Sequence, residues 1–257
     1  MRQALATLLA LLCFPAFAQV APDDSILLGA ALRTRPAYLG SLSQKTDLVP
    51  VVRYYGQPLF ARTTQGILEG GLHWNLGSGL AAGFQLAYEE GRKSSESAFL
   101  RDHNFTDDVD PGASLGAHVE WDTKIGPAPI SLLARYRHNL ESDRGSAADL
   151  RLNVGVYGAN RAAVALFAEA IWGSSKANGT FYGVTPAQSA ASGFAAYQPG
   201  SGLKEVAAGI QASYDLSRHW TLVASVQQRW LQGDVAQSPL ADCRQNTYAN
   251  AGIAYRF

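Results

Sequence analysis

Asn246-Thr-Tyr-Ala-Asn-Ala-Gly-Ile-Ala-Tyr-Arg-Phe257 decides the fold class. Every second residue, Thr247, Ala249, Ala251, Ile253, Tyr255 and Phe257, is apolar or nearly so. The alternate set, Asn246, Tyr248, Asn250, Gly252, Ala254 and Arg256, is small or polar. A period of two marks a strand with unlike faces. A soluble sheet gains nothing from an exposed last strand with phenylalanine at its end. A membrane barrel does gain, because that strand closes the cylinder and removes the free edge. The terminal aromatic is expected to act as the sorting signal for insertion.

The same alternation recurs toward the N-terminus. Apolar sets stand at 220–230, 206–214, 164–172, 150–156, 130–136 and 115–121, each opposed by a polar or small set. Earlier runs lie at 80–88, 68–74, 59–63, 50–55 and 26–33; the run at 59–63 is the faintest, and Pro50 removes one ladder donor. With the tail these make twelve strands of the length a bilayer requires. The expected fold is all-β: a transmembrane antiparallel β-barrel of about twelve strands.

Two independent patterns support it. With the N-terminus in the periplasm, the turns at 56–58, 76–79, 124–127, 158–161 and 215–218 fall on the periplasmic side and are short. The segments at 36–47, 64–66, 92–111, 139–146, 173–204 and 232–245 fall outside, and all but the one at 64–66 are longer, the asymmetry of outer-membrane barrels. All five tryptophans, Trp74, Trp121, Trp172, Trp220 and Trp230, take the outward register near strand ends, as interfacial girdles require.

Residues 1–18 read as a signal peptide: Arg2, an apolar run at 4–12, then Ala16-Phe-Ala18 as a small-x-small cleavage site. Residues 19–257 then form one outer-membrane barrel domain. Cys243 alone remains in that part, so no internal disulfide forms. Lys+Arg and Asp+Glu balance at 21 each, and charged residues are only 16% of the chain, which gives no case for nucleic acid. Outer-membrane lipid is the expected surrounding partner.

The inward register carries both signs. Arg33, Arg53, Arg135, Arg137, Arg151, Arg229 and Arg256 face Glu69, Glu89, Glu120, Asp149, Glu169 and Glu205. A barrel far narrower than a 16–18-stranded porin can be filled by such pairs. Two readings follow: a charge-paired lumen, or a small pore lined by arginine. Outer-membrane lipid hydrolysis needs Ser and His in hydrogen-bond reach, oriented by a third polar group. His73 and His118 read as inward and isolated, His219 lies in a turn, and no His-x-Ser shares a strand face. No enzyme, cofactor or metal site is expected. Asp107, Asp108 and Asp110 match no calcium loop and read as solvated charge.

One family carries a related pattern. Phe181-Tyr-Gly-Val-Thr185, Gln188-Ser189, Ser192-Gly193 and Tyr197 look like its long external loop, followed by Leu231-Gln-Gly-Asp234, Ser238-Pro-Leu240 and the closing Tyr255-Arg-Phe257. Pro36-Ala-Tyr-Leu-Gly-Ser41, Gly56, Phe60 and Gly91-Arg92 fit the same template. The chain is similar to the MipA/OmpV family of outer-membrane proteins. It departs at Asn104-Phe-Thr-Asp-Asp-Val109, where that family is glycine-rich. The resemblance implies a non-enzymatic scaffold that joins a lytic transglycosylase to a penicillin-binding protein in murein growth. Other members are linked to adhesion and antibiotic response.

Overall fold

A computed structural model describes residues 26–64, 66–141 and 143–257. The proposed signal peptide lies outside the described residues. Twelve strands close into one antiparallel barrel, each paired with its sequence neighbours and β1 with β12. They are β1 (Leu27–Pro36), β2 (Gln44–Tyr55), β3 (Leu59–Thr64), β4 (Ile67–Gly77), β5 (Leu80–Glu89), β6 (Gly112–Ile125), β7 (Ala128–Asn139), β8 (Ser146–Ala159), β9 (Ala162–Gly173), β10 (Gly202–Asp215), β11 (Trp220–Leu231) and β12 (Gln245–Arg256).

The tail strand behaves as its alternation requires. Leu222 and Ile253 are exposed outside, whereas Thr221 and Ala254 are buried inside. Leu28, Leu32, Phe84, Leu115, Leu166 and Ile210 join that outer face, which burial in water would never allow but lipid favours. Trp74, Trp121, Trp172 and Trp220 are likewise exposed near strand ends. Among the described residues no helix is long and apolar enough to cross a membrane.

One sequence expectation changes. β2 starts at Gln44, so the first external loop is residues 37–43, not 36–47. Above the lipid the outward residues Thr46 and Gln44 are polar, so the hydrophobic alternation ends while pairing with β1 continues to Pro36↔Gln44. The faint strand is real, and β3 carries Arg62 on its inner face.

The external segments are not loose loops. They hold α1 (Ala98–Asp102), α2 (Ser175–Tyr182) and α3 (Pro186–Ser192), and pack into a cap over the outer mouth. Leu100 and Leu240, fully buried, meet Tyr38, Phe105, Val184 and Phe194 in one cluster; Tyr182, Leu39, Leu231 and Val235 form a second. Several buried polar groups inside it are paired, as burial favours. Tyr38 Oη donates to Leu240 O at 2.7 Å, Tyr182 Oη to Leu39 O at 3.0 Å, and Ser238 Oγ to Tyr182 O at 2.7 Å. Burial pushes the Tyr38 phenol up to about 12 and the Tyr182 phenol well above its ordinary value, so both remain donors at neutral pH. Asn246 Oδ1 accepts from Gly40 N and its Nδ2 donates to Ser41 O, tying the cap to β12. Arg92, 2% exposed, donates to the carbonyls of Phe181 and Asp107 and lies over the rings of Tyr38 and Phe105.

Candidate functional site

The barrel lumen collects the charged residues read from the inward register. At its centre, Arg135 Nε donates to Asp149 Oδ1 at 2.8 Å, Nη1 reaches both Glu69 oxygens at 3.1 Å, and Nη2 lies 3.5 Å from Glu169. Its side chain is 1% exposed. Arg62 bridges Glu69 and Glu120 and donates to Tyr55 Oη at 2.9 Å. Arg137 joins Glu89 at 3.3 Å to Asp149 at 3.4 Å. Arg151 lies 3.8 Å from Glu169, donates to Asn153 Oδ1 at 3.0 Å and stacks 3.9 Å above the Phe167 ring.

Three smaller groups flank this core. Arg33 and Arg35 share Asp47 and Glu90 near the outer side; Arg33 makes a fork to Asp47 with both contacts at 2.9 Å. Arg229 pairs with Glu205 at 3.2 Å over the Tyr248 ring. Arg256 pairs with Asp215 at 2.8 Å at the periplasmic rim. Arg53 faces the lumen in register with Arg62. Every expected residue takes the inward register, and most of them fall within these four groups. Sequence reasoning missed Arg62, Arg35, Asp47 and Glu90. Arg62 was legible: it follows Phe60 by two in the weakest strand, and parity alone places it inside. Asp47 was hidden by the loop assigned to it.

His73 and His118 are not isolated, as the sequence suggested. His73 Nδ1 lies 3.3 Å from His118 Nε2 with the rings stacked at 14°. They sit on β4 and β6, with Gly83 of β5 between them in register. A Cβ at 83 would lie 2.6 Å from His118 Cε1 and 2.0 Å from Leu72 O, so only glycine lets the two rings meet across the intervening strand. Phe60 and Tyr55 complete an aromatic wall against them. Gly83→Val is expected to destabilise the barrel by about 1–3 kcal/mol through overpacking. The urea midpoint of the detergent-folded barrel measures this, and an unchanged midpoint counts against the contact.

A Ser–His contact does form across strands. His138 Nδ1 lies 2.8 Å from Ser146 Oγ on the outer face, and that oxygen also meets Tyr136 Oη at 3.0 Å. Among the described residues no side chain hydrogen-bonds His138 Nε2. In the acidic run Asp107, Asp108 and Asp110 are exposed, and Asp108 is in addition held in place. Its carboxylate accepts from Ser94 N at 2.8 Å and Ser94 Oγ at 2.7 Å, which hold it below the usual carboxylate range.

The comparisons with known proteins agree with this architecture. An outer-membrane channel of Pseudomonas putida F1 superposes with a TM-score of 0.51 at 10% identity, covering 93% of this chain and 97% of that one, which speaks for the fold alone. The MltA-interacting proteins of Escherichia coli K12 and Shigella flexneri are each 29% identical over 86 residues, 34% of this chain and 34% of theirs. The matched stretch is thus about a third of those relatives' length. The residue pattern from Phe181 to Leu240 corresponds to the hydrogen bonds that build the cap: Tyr182, Asp234 and Ser238 all close contacts there. The family model described as MltA-interacting protein MipA matches residues 28–257, so this outer-membrane barrel belongs to that family.

Proposed function

We propose that the chain is a non-enzymatic, non-conducting barrel that serves as an outer-membrane docking partner for murein enzymes, a lytic transglycosylase and a penicillin-binding protein. The observation that carries this reading is the lumen closed twice in series. Ion-paired and aromatic side chains fill its middle, and a folded cap covers its outer mouth. Such a barrel offers no solute path, and a binding role is the use its closed lumen supports. The name of the E. coli and Shigella relatives, MltA-interacting protein, supports the murein-hydrolase partner, whereas the penicillin-binding protein rests on the family resemblance alone.

The test is a periplasmic crosslinking pull-down in the native host. Recovery of a murein hydrolase together with a murein synthase is the expected outcome. A pull-down that returns neither, from cells where the barrel is folded, sinks the scaffold. A second reading, surface recognition, is favoured by the ordered cap itself, whose Leu42 is 65% exposed.

A further inference from the structure

The lumen is filled on one side and open on the other. Eight-stranded barrels are just filled by ordinary side chains, so twelve strands need long ones to close them. Toward the outer side long ones are present, and Arg151, Glu169, Phe167 and Glu205 are all buried. Toward the periplasm, β8–β12 instead place Asn153, Ala165, Gln211, Ser213, Ser225 and Asn250 on the inner face. Each of these is part-exposed although the barrel wall lies behind it. Small side chains cannot reach the axis of so wide a cylinder, so a vestibule remains, floored by Arg151 and Phe167 and narrowed at one side of its periplasmic mouth by the Arg256–Asp215 pair, which covers Thr221 and Ala254.

Its lining has a definite chemistry. Asn153 Oδ1 and Gln211 Oε1 accept from Arg151 at 3.0 and 3.4 Å, which leaves the amide N–H₂ of each directed elsewhere. Asn250 Nδ2 donates to Ser225 Oγ at 2.8 Å, which leaves its carbonyl oxygen as a spare acceptor. Among the described residues these spare groups have no protein partner. They offer both donors and an acceptor without net charge, which complements the N–H and C=O groups of an extended main chain.

We propose that this vestibule receives an uncharged, extended polypeptide segment of a periplasmic partner. This rests on the docking role above, and it answers a difficulty in that role: the periplasmic turns are too short to offer a surface, but the hollow between them is not.

Three measurements test it, all in a Cys243→Ser background. Ser213→Cys and Ser225→Cys should react with a polyethylene-glycol maleimide too large for general porins in permeabilised cells, and stay unmodified in intact ones. Labelling of intact cells, or none in either, overturns the vestibule. A photocrosslinking residue at Gln211 or Asn250 should capture an uncharged stretch of a murein enzyme, whereas one at lipid-facing Leu222 should not. Ser225→Trp should abolish both that crosslink and co-purification while the barrel keeps its heat-modifiable mobility. If Ser225→Trp leaves co-purification of the murein enzymes intact, the vestibule inference falls and the scaffold stands. If the lumen crosslinks only a protein unrelated to murein, the scaffold falls and the vestibule stands.

Discussion

Arg135→Ala is expected to cost the folded barrel about 3–5 kcal/mol, the loss that follows when one partner of a buried ion pair is removed. Three carboxylates, Glu69, Asp149 and Glu169, converge on this guanidinium, and all are buried with it. Without it each faces a like charge in a site that water reaches poorly, and desolvation is no longer offset. Arg62 continues to serve Glu69, and Arg137 continues to serve Asp149, so the damage should stop short of global unfolding. Arg135→Lys should recover only part of the loss, because a point charge cannot address three acceptors from one plane. The measurement is the urea midpoint of the folded barrel in detergent, read by heat-modifiable mobility. A shift below about 1 kcal/mol would mean the carboxylates are solvated, and the lumen wet where the geometry has it closed.

How much of this was readable beforehand depends on the physics behind each feature. Strand number and facing were legible because lipid on one side and charge on the other force a strict period of two; Val226 and Gln227 on β11 show it plainly. The outer end of β2 was not, since above the lipid Thr46 no longer has to be greasy although its backbone still pairs. Inward direction was legible for Arg135 and Glu69. Their contact was not, because it joins strands whose relative stagger is fixed only by closure around all twelve. The His73–His118 pair depended on an absent side chain at Gly83, a signal visible only once three strands are in register. The cap was the least legible part. Its clusters draw on residues 37–39, 99–105, 181–197, 231–236 and 240–241, and no periodicity links segments so far apart.

The closed lumen leads to the second large effect, in conductance. Wild-type barrel in a planar bilayer should give no resolved steps. Tyr182→Ala removes a fully buried ring from the cap, along with its bond to Leu39 O, at a cost of about 3–5 kcal/mol. That energy is local to the cap, so external loops should become protease-sensitive while the barrel stays folded. Conductance should nevertheless remain absent, because the Arg62–Glu69–Arg135 layer still fills the middle. A charge-balanced Arg135→Ser/Glu69→Ser pair thins that layer without stranding a net charge, and with the cap intact it too should be silent. Joined to Tyr182→Ala, it should yield discrete steps, since two barriers in series must both be breached before ions pass. Steps from either change alone would mean that only one barrier exists, and steps from the wild type would return the barrel to the class of pores.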